Sequence, residues 1–390
     1  MVMATRVGRQ HPHAAAWFLA VLTLSTALAG CLSSGSDGAT GTADEPLDAL
    51  TPSPDAQSSL VSSEAAAPAT EASDLAVRAA ARHGHMTGNV IGASGPVAIE
   101  VERLEDGRVV ASTQAASSGS WEVGFLEPAV EYLVTATERE SDRVAQVAVR
   151  TSALPWAWAA PEEAVVAPGA DTFSCPLGFL LRDARFEVVY ALMAGHCVDD
   201  DEEIRIFTAG ATLVIGSVVD RRDTDAHEDW ALVRLEADVL GLANPQALHW
   251  TGPSRLVEAS AVETGDAACW RGKGTPFSFR PETQHRCGTI SSFARGTSHE
   301  QDEGMWLWAA VWQGDSGSPL IHHETGMALG VLISGVNGAL VYAYSMCTAM
   351  HWLHEAGWRL QLLTAAYQPM PEDPRVPPTS GSGSLSCVWP

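Results

Sequence analysis

The pattern of apolar and polar positions divides this 390-residue chain into unlike stretches. Ala14 to Leu28 is one apolar run behind Arg6 and Arg9. Residues 32–80 show no period: they are Ala, Ser, Thr, Gly, Pro and acids, with Arg78 the one basic residue and no aromatic between Cys31 and Trp121. Such a composition buries too little apolar surface to offset chain entropy, which predicts a disordered acidic spacer over 31–83, with Leu75-Ala76-Val77 the stretch for which packing on the folded body is the alternative. From Gly84 the period becomes two: Val97, Ile99 and Val101, then Trp121, Val123 and Phe125, then Tyr132, Val134 and Ala136, and less strictly Val144, Val147 and Val149. Gly, Pro and Asp-Gly turns break these runs, so short antiparallel strands are predicted over 84–152, with a hairpin at Asp106-Gly107. Residues 153–172 read as a connector interrupted by Pro155, Pro161, Pro168 and Gly169, docked by Trp156 and Trp158. Beyond it, 186–190, 212–215, 231–235 and 328–334 read as short strands, and Thr348–Ala356, stopped by Gly357, as one helix docked through Met350, Leu353 and Trp358. The folded part is therefore all-β with one C-terminal helix, in a domain spanning 173–368 and followed by a tail over 369–390.

Charge narrows the function classes. Forty-seven acids against 23 bases give a net charge of −24, which argues against nucleic acid or an anionic membrane surface as a partner. The acidity is spread over the spacer, the strand-rich stretch and the C-terminal domain, so it marks no single patch. No later segment reaches the ~18 apolar residues of a membrane span. His83 and His85 have metal-like spacing but no partner nearby and read as solvated; no metal and no cofactor is expected. The chain reads as a monomer.

The apolar run ends in Leu28-Ala29-Gly30-Cys31, which resembles the bacterial lipobox. The resemblance implies a signal peptide over 1–30, cleavage before Cys31 and diacylation of its sulfur; a plain signal peptide or an anchor helix are the alternatives. Two acyl chains would hold the protein on a membrane where one would not. Leu32, where an Asp would favour inner-membrane retention, implies by the same resemblance an exported outer-membrane or cell-surface lipoprotein. Gly88-Asn89-Val90, Gly95-Pro96-Val97, Ser118-Gly119-Ser120-Trp121 and Glu131-Tyr132-Leu133-Val134 resemble carboxypeptidase regulatory-like modules. That likeness implies a small β-sandwich without chemistry of its own, serving as a spacer, a folding aid or a weak binding surface.

Three segments carry candidate chemistry: Ala191 to Cys197, Asp229 to Leu235, and Gln313-Gly314-Asp315-Ser316-Gly317-Ser318-Pro319. A serine hydroxyl needs an adjacent base to attack at neutral pH, and a neutral imidazole supplies it. A carboxylate then holds the imidazole in one tautomer, and backbone N–H groups in a Gly-rich turn stabilise the oxyanion. His196, Asp229 and Ser316 fit these roles, with Gly314 and Ser316 as the N–H donors. Asp223 and Asp225 rival Asp229, but only Asp229 opens an apolar strand.

In this order, with 33 residues from His196 to Asp229, the segments resemble the chymotrypsin-fold serine endopeptidases. Cys175-Pro176-Leu177-Gly178-Phe179 and Cys269-Trp270-Arg271-Gly272 with Cys287-Gly288-Thr289-Ile290 are similar to the bacterial streptogrisin and α-lytic group. The resemblance implies two six-stranded barrels and bridges Cys175–Cys197 and Cys269–Cys287, leaving Cys347 and Cys387 for a third. It implies a buried Asp315 paired with a cation, for which Arg271 is the candidate. Ala310, six residues before Ser316, stands where enzymes cleaving after Lys or Arg carry Asp; with Val311, Trp312 and Gln313 it predicts a pocket for an apolar or aromatic side chain. Ser334, Gly335 and Val336 are the expected edge for substrate backbone. Trp270, Trp306, Trp308 and Trp312 either wall the cleft or pack in the core. The function implied is a lipid-anchored serine endopeptidase acting on protein or peptide; the alternatives are an idle protease scaffold that binds at the cell surface, or a serine esterase.

Overall fold

The computed structural model describes residues 75–208, 211–224, 228–247, 251–258, 261–272, 285–295, 303–311, 314–336 and 340–368. The signal peptide, Cys31, most of the spacer and the tail from 369 lie outside these residues. Seven strands come first: β1 (Ala76–Ala81), β2 (Met86–Ile91), β3 (Val97–Arg103), β4 (Arg108–Ala115), β5 (Ser120–Val123), β6 (Glu131–Glu138) and β7 (Val144–Arg150). They form sheets of order β1-β2-β5 and β4-β3-β6-β7. Val97, Ile99 and Val101 of β3 and Tyr132, Val134 and Ala136 of β6 are no more than 1% exposed, and they share one core with Trp121 and Met86. The period-two reading thus names the inner face of the four-stranded sheet.

The spacer ends earlier than expected. Predicted to run to residue 83, it gives way at Ala76 to β1, which pairs antiparallel with β2 from Ala76↔Ile91 to Ala81↔Met86. This strand, Ala-Val-Arg-Ala-Ala-Ala, buries Val77, but what holds it is backbone hydrogen bonding, to which composition is blind. At the end of β6, Glu138 is wholly buried and accepts bonds from Ser94 N (2.5 Å), Ser94 Oγ (2.8 Å), Gly95 N (3.0 Å), Arg143 Nε (2.9 Å) and the Ser141 hydroxyl. The Ser141 and Ser94 bonds hold its carboxyl well below the usual carboxylate range.

The C-terminal domain has two halves. β8 (Leu180–Asp183), β9 (Val189–Met193), β10 (Glu203–Thr208), β11 (Ala211–Asp223), β12 (Asp229–Leu235) and β19 (Leu360–Leu362) make a six-stranded sheet of order β10-β11-β12-β9-β8-β19. β13 (Ala267–Arg271), β14 (His285–Arg295), β15 (Glu303–Trp308), β16 (Pro319–His322), β17 (Ala328–Val336) and β18 (Leu340–Ser345) close into a barrel of order β13-β14-β15-β18-β17-β16. Both halves have the six strands expected; among the described residues the second closes into a barrel and the first is an open sheet. Helix α1 (Met346–Glu355) starts two residues before its predicted position, because Ser345 caps it by accepting from Thr348 N. The strand predicted over 186–190 begins only at Val189: Phe186 takes φ +58°, and the Asp183 carboxylate accepts from Glu187 N (2.9 Å) and Val188 N (3.0 Å), making that stretch a turn.

The two halves share β9 and β12. Ala191, Met193, Ala231 and Val233 point into the first core, whereas Tyr190, Leu192, Trp230 and Leu232 point into the second. Both faces are buried, so these strands read as unbroken apolar runs and not as alternation. Leu192, Met193, Leu232 and Val233 are 0% exposed, each contributing at most about 1.5–3 kcal/mol.

The sandwich is docked on the first half. Arg182 of β8, 5% exposed, donates to Leu126 O (2.9 Å) and Phe125 O (3.0 Å) of the sandwich and to Gln361 Oε1 (2.5 Å) of β19, and its guanidinium lies 4.5 Å from the Phe186 ring centre. Trp156 and Trp158 of the connector meet the same Phe186 ring at 6.2 and 6.3 Å, which is the docking expected of them.

Candidate active site

Two strand ends and one turn meet where the halves join. β9 runs into a short 3-10 turn, Gly195–Cys197, that carries His196; β12 opens with Asp229. Pairing of β12 with β9, from Ala231↔Met193 to Arg234↔Tyr190, brings those ends together. Gly195 is obligatory there: a Cβ would lie 2.1 Å from Arg222 O and 2.8 Å from Trp230 O. His196 Nδ1 sits 2.6 Å from Asp229 Oδ2, and His196 N donates to Asp229 Oδ1 at 2.9 Å. Asp229 is 7% exposed. One carboxylate therefore grips both the ring and the backbone of the histidine, which fixes the tautomer with Nδ1 protonated and Nε2 outward. The Asp229 bond raises the pKa of His196 against the opposing effect of burial. Of the rival acids, Asp223 lies opposite Asp229 at the exposed end of β11 and bonds Arg221 at 3.1 Å, and Asp225 is outside the described residues.

Ser316 stands on the turn before β16. Gly314 and Gly317 both take left-handed φ, +94° and +89°, and a Cβ on Gly317 would lie 2.6 Å from Pro176 O. Gly317 N donates to Leu332 O (2.7 Å), tying the turn to β17. The Ser316 hydroxyl donates to Ile333 O at 2.8 Å. Ile333 is the bulged residue where the pairing of β17 with β18 shifts register between Leu332 and Ser334, which is why its carbonyl turns toward the serine. Reading the sequence did not single out that acceptor.

The partner of Asp315 differs from expectation. Arg286 makes a two-pronged ion pair with it, Nη1–Oδ2 2.6 Å and Nη2–Oδ1 3.2 Å, with the side chains 12% and 3% exposed. Arg271, the expected partner, is buried elsewhere: its aliphatic part lies under Gly169, and Asp171 is the carboxylate that favours its charge. The reason is parity. Cys269 faces Cys287 and Arg271 faces His285, so Arg271 lies on one face of the β13–β14 pair and Arg286, opposite Trp270, on the other. Arg286 also approaches Ala310 O at 3.4 Å, linking the ion pair to the expected specificity wall.

Two bridges form as implied, Cys175–Cys197 and Cys269–Cys287. Cys347 is disulfide-bonded too; Cys387, its expected partner, lies outside the described residues. Cys175, His196 and Cys197 come within ligating distance of one another, but both sulfurs are used in their bridge. Ala310 is exposed and Val311 half-buried beside the site; Trp312 and Gln313 lie outside the described residues. Ser334, Gly335 and Val336 pair with β18 through Tyr342, Val341 and Leu340. β16 reaches only Val331, so among the described residues no strand covers their other edge. Trp270 is a core residue at 0% exposure, Trp306 meets the Tyr342 ring at 5.1 Å with the planes tilted by 52°, and Trp308 is 52% exposed.

Residues 177–331 match a trypsin-like peptidase domain. That span contains His196, Asp229, Arg286, Asp315 and Ser316. Among solved structures, the chain is similar to a chymotrypsin of Cellulomonas bogoriensis, at 19% identity and a TM-score of 0.34, over 52% of this chain and 99% of that one. It is also similar to the HtrA-type protease AlgW with a decapeptide, at 18% identity and a TM-score of 0.32, over 43% of this chain and 47% of that one. A Glu endopeptidase in complex with MPD matches at 12% identity and a TM-score of 0.33, over 51% and 92%. No curated protein sequence matches. The trypsin-like peptidase domain is thus one part of a longer chain that also carries the docked sandwich.

Proposed function

We propose that the chain is a serine endopeptidase that hydrolyses peptide bonds through an acyl-enzyme, with His196, Asp229 and Ser316 as its triad. The observation that carries the reading is the double grip of Asp229 on His196, at 2.6 and 2.9 Å, beside a left-handed glycine turn that presents Ser316. In this reading the Ser316 hydroxyl leaves Ile333 O when substrate binds and turns to His196 Nε2. The imidazole takes the Oγ proton as Oγ attacks the carbonyl carbon, and the new oxyanion is held by Gly314 N–H and Ser316 N–H. His196 then gives that proton to the departing amine, leaving an ester on Ser316. Water, deprotonated by the same imidazole, hydrolyses the ester and restores the serine.

The open edge of Ser334 to Val336 takes substrate backbone as an added strand, which favours a peptide over a simple ester. Ala310 and Val311 belong to a pocket for an apolar or aromatic side chain; Trp312 and Gln313, expected in the same wall, lie outside the described residues. The protein is exported, is akin to the streptogrisin and α-lytic group, and is anchored by a diacylated Cys31, with the acidic spacer between lipid and sandwich and a third bridge from Cys347 to Cys387. The test is labelling by a serine-reactive fluorophosphonate. Wild-type protein should label and Ser316→Ala should not; folded wild-type protein that stays unlabelled would overturn the enzyme reading. Labelling followed by release of product from esters but never from peptides would establish an esterase instead.

A further inference from the structure

A groove of about 230 Å3 lies beside the bridge that follows His196, lined by Phe173, Ser174, Glu202, Glu203, Ile204 and Arg205 among others. At its side, Phe173 and Phe207 are each 55% exposed, with ring centres 4.0 Å apart. The groove adjoins Asp199 to Glu203, the longest uninterrupted acidic run in the chain. Its one cation, Arg205, is already bonded to Glu203 at 2.7 Å, so five acids less one arginine leave a net charge of −4 along 199–205. The walls are tied down: Thr172 pairs with Ile206, Cys175 N donates to Thr172 Oγ1 (3.1 Å), and Asp199 N donates to Glu202 Oε2 (2.8 Å).

The groove's place relative to Ser316 gives it a role. On one side of the serine stands β17, whose Ile333 carbonyl takes its hydroxyl. On the other stands the Cys175-Pro176 turn, so close that a Cβ on Gly317 would lie 2.6 Å from Pro176 O and 3.4 Å from Cys175 Cβ. The Cys175-Pro176 turn beside Gly317 therefore links the serine's turn to Phe173, two residues before Cys175 and on the groove's wall.

We propose that this groove is a subsite for an arginine or lysine side chain two or three residues beyond the cleaved bond, on the leaving-amine side of the substrate. It rests on the peptidase reading above. The aliphatic stem of the basic residue lies on the Phe173–Phe207 pair, where a guanidinium or ammonium also meets the negative ring faces. The cationic head reaches Glu202 and Glu203. A small cavity with exposed aromatic rings and a carboxylate rim suits a cation on an apolar stem; a carboxylate-bearing side chain there meets like charge.

The experiment uses internally quenched peptides that share one acyl side and carry Arg, Gln or Glu at the second and third positions after the scissile bond, beside an acyl p-nitroanilide with no residue there. Wild-type kcat/KM should favour Arg over Glu by about tenfold at physiological salt, and less at 1 M salt. Glu203→Gln and Phe207→Ala should each bring that ratio below about threefold and leave p-nitroanilide turnover unchanged. Inactive Ser316→Ala should bind the Arg peptide more tightly than the Glu peptide by anisotropy. Ratios within twofold for wild type, or a preference that survives both substitutions, would overturn the subsite while leaving the peptidase intact. Absence of turnover with every substrate, together with absence of fluorophosphonate labelling, would overturn the peptidase reading instead, and equal binding of the two peptides by Ser316→Ala would remove the subsite with it.

Discussion

Replacing Arg286 by Met tests the corrected ion pair most directly. The guanidinium meets Asp315 at 2.6 and 3.2 Å in a site that leaves the carboxylate 3% exposed. At an effective dielectric of about 20, unit charges 2.6 Å apart attract by about 6 kcal/mol, and desolvation of both groups offsets much of that. Methionine keeps most of the apolar stem, so the main loss is the partner of a buried charge, about 3–5 kcal/mol. That is a large fraction of the ~5–15 kcal/mol that holds a domain together. The assay is urea unfolding in a Ser316→Ala background, which prevents self-digestion, with Asp315→Asn and the double variant completing a cycle. Arg286→Met should lower stability by about 3 kcal/mol or more, and the cycle should show strong coupling with Asp315. Because Asp315 immediately precedes Ser316, Arg286→Met in the active background should also lower labelling by a fluorophosphonate. The reasoning fails if Arg286→Met costs under about 1 kcal/mol, or if Arg271→Met, and not Arg286→Met, couples to Asp315.

Three further predictions concern the triad, its turn and the docking of the sandwich. His196 must be neutral to act as base, and its Asp229 bond raises its pKa above the ordinary 6.5; kcat/KM should therefore rise with pH through an apparent value above 6.5, and Asp229→Asn should abolish that elevation and lower kcat by about four orders of magnitude. The same elevation means that the stabilisation from charged His196 is complete below pH 6.5 and is lost as pH rises through the higher folded value, which thermal melts across that range would read. Gly317→Ala places a Cβ 2.6 Å from Pro176 O at φ +89° and should cost more than about 1 kcal/mol with a fall in kcat; an unchanged melting temperature would show that the turn is looser than drawn. Arg182→Met leaves the carbonyls of Phe125 and Leu126 without this donor, at about 1–3 kcal/mol for each if buried. Limited proteolysis should then cut the 153–172 connector faster, and unchanged cutting would mean that Arg182 does not hold the sandwich.

What could be read without coordinates was local or chemical. Period-two runs named the inner faces of β3 and β6, because strand side chains alternate whatever they pack against. His196, Asp229 and Ser316 stood out because the chemistry restricts residue types and because a glycine-rich turn, Gly314 and Gly317, surrounds the serine. The pairings Cys175–Cys197 and Cys269–Cys287 came from resemblance and agree with the strands that hold them. What composition could not show was anything settled by backbone pairing or by register. β1 is an alanine-rich strand held by hydrogen bonds to β2, and its sequence looks like more of the spacer.

The sequence by itself determined that the chain is all-β beyond its acidic stretch and that one His, one Asp and one Ser are its candidate chemistry. Only the tertiary structure decided which arginine neutralises Asp315, since a single residue of strand parity puts Arg271 and Arg286 on opposite faces. It alone brought β19 from the end of the domain to the edge of the first sheet, seated the sandwich on Arg182, and turned the Ile333 carbonyl toward Ser316 through a bulge. These are contacts between residues far apart in the chain, and register and packing, not residue type, select them.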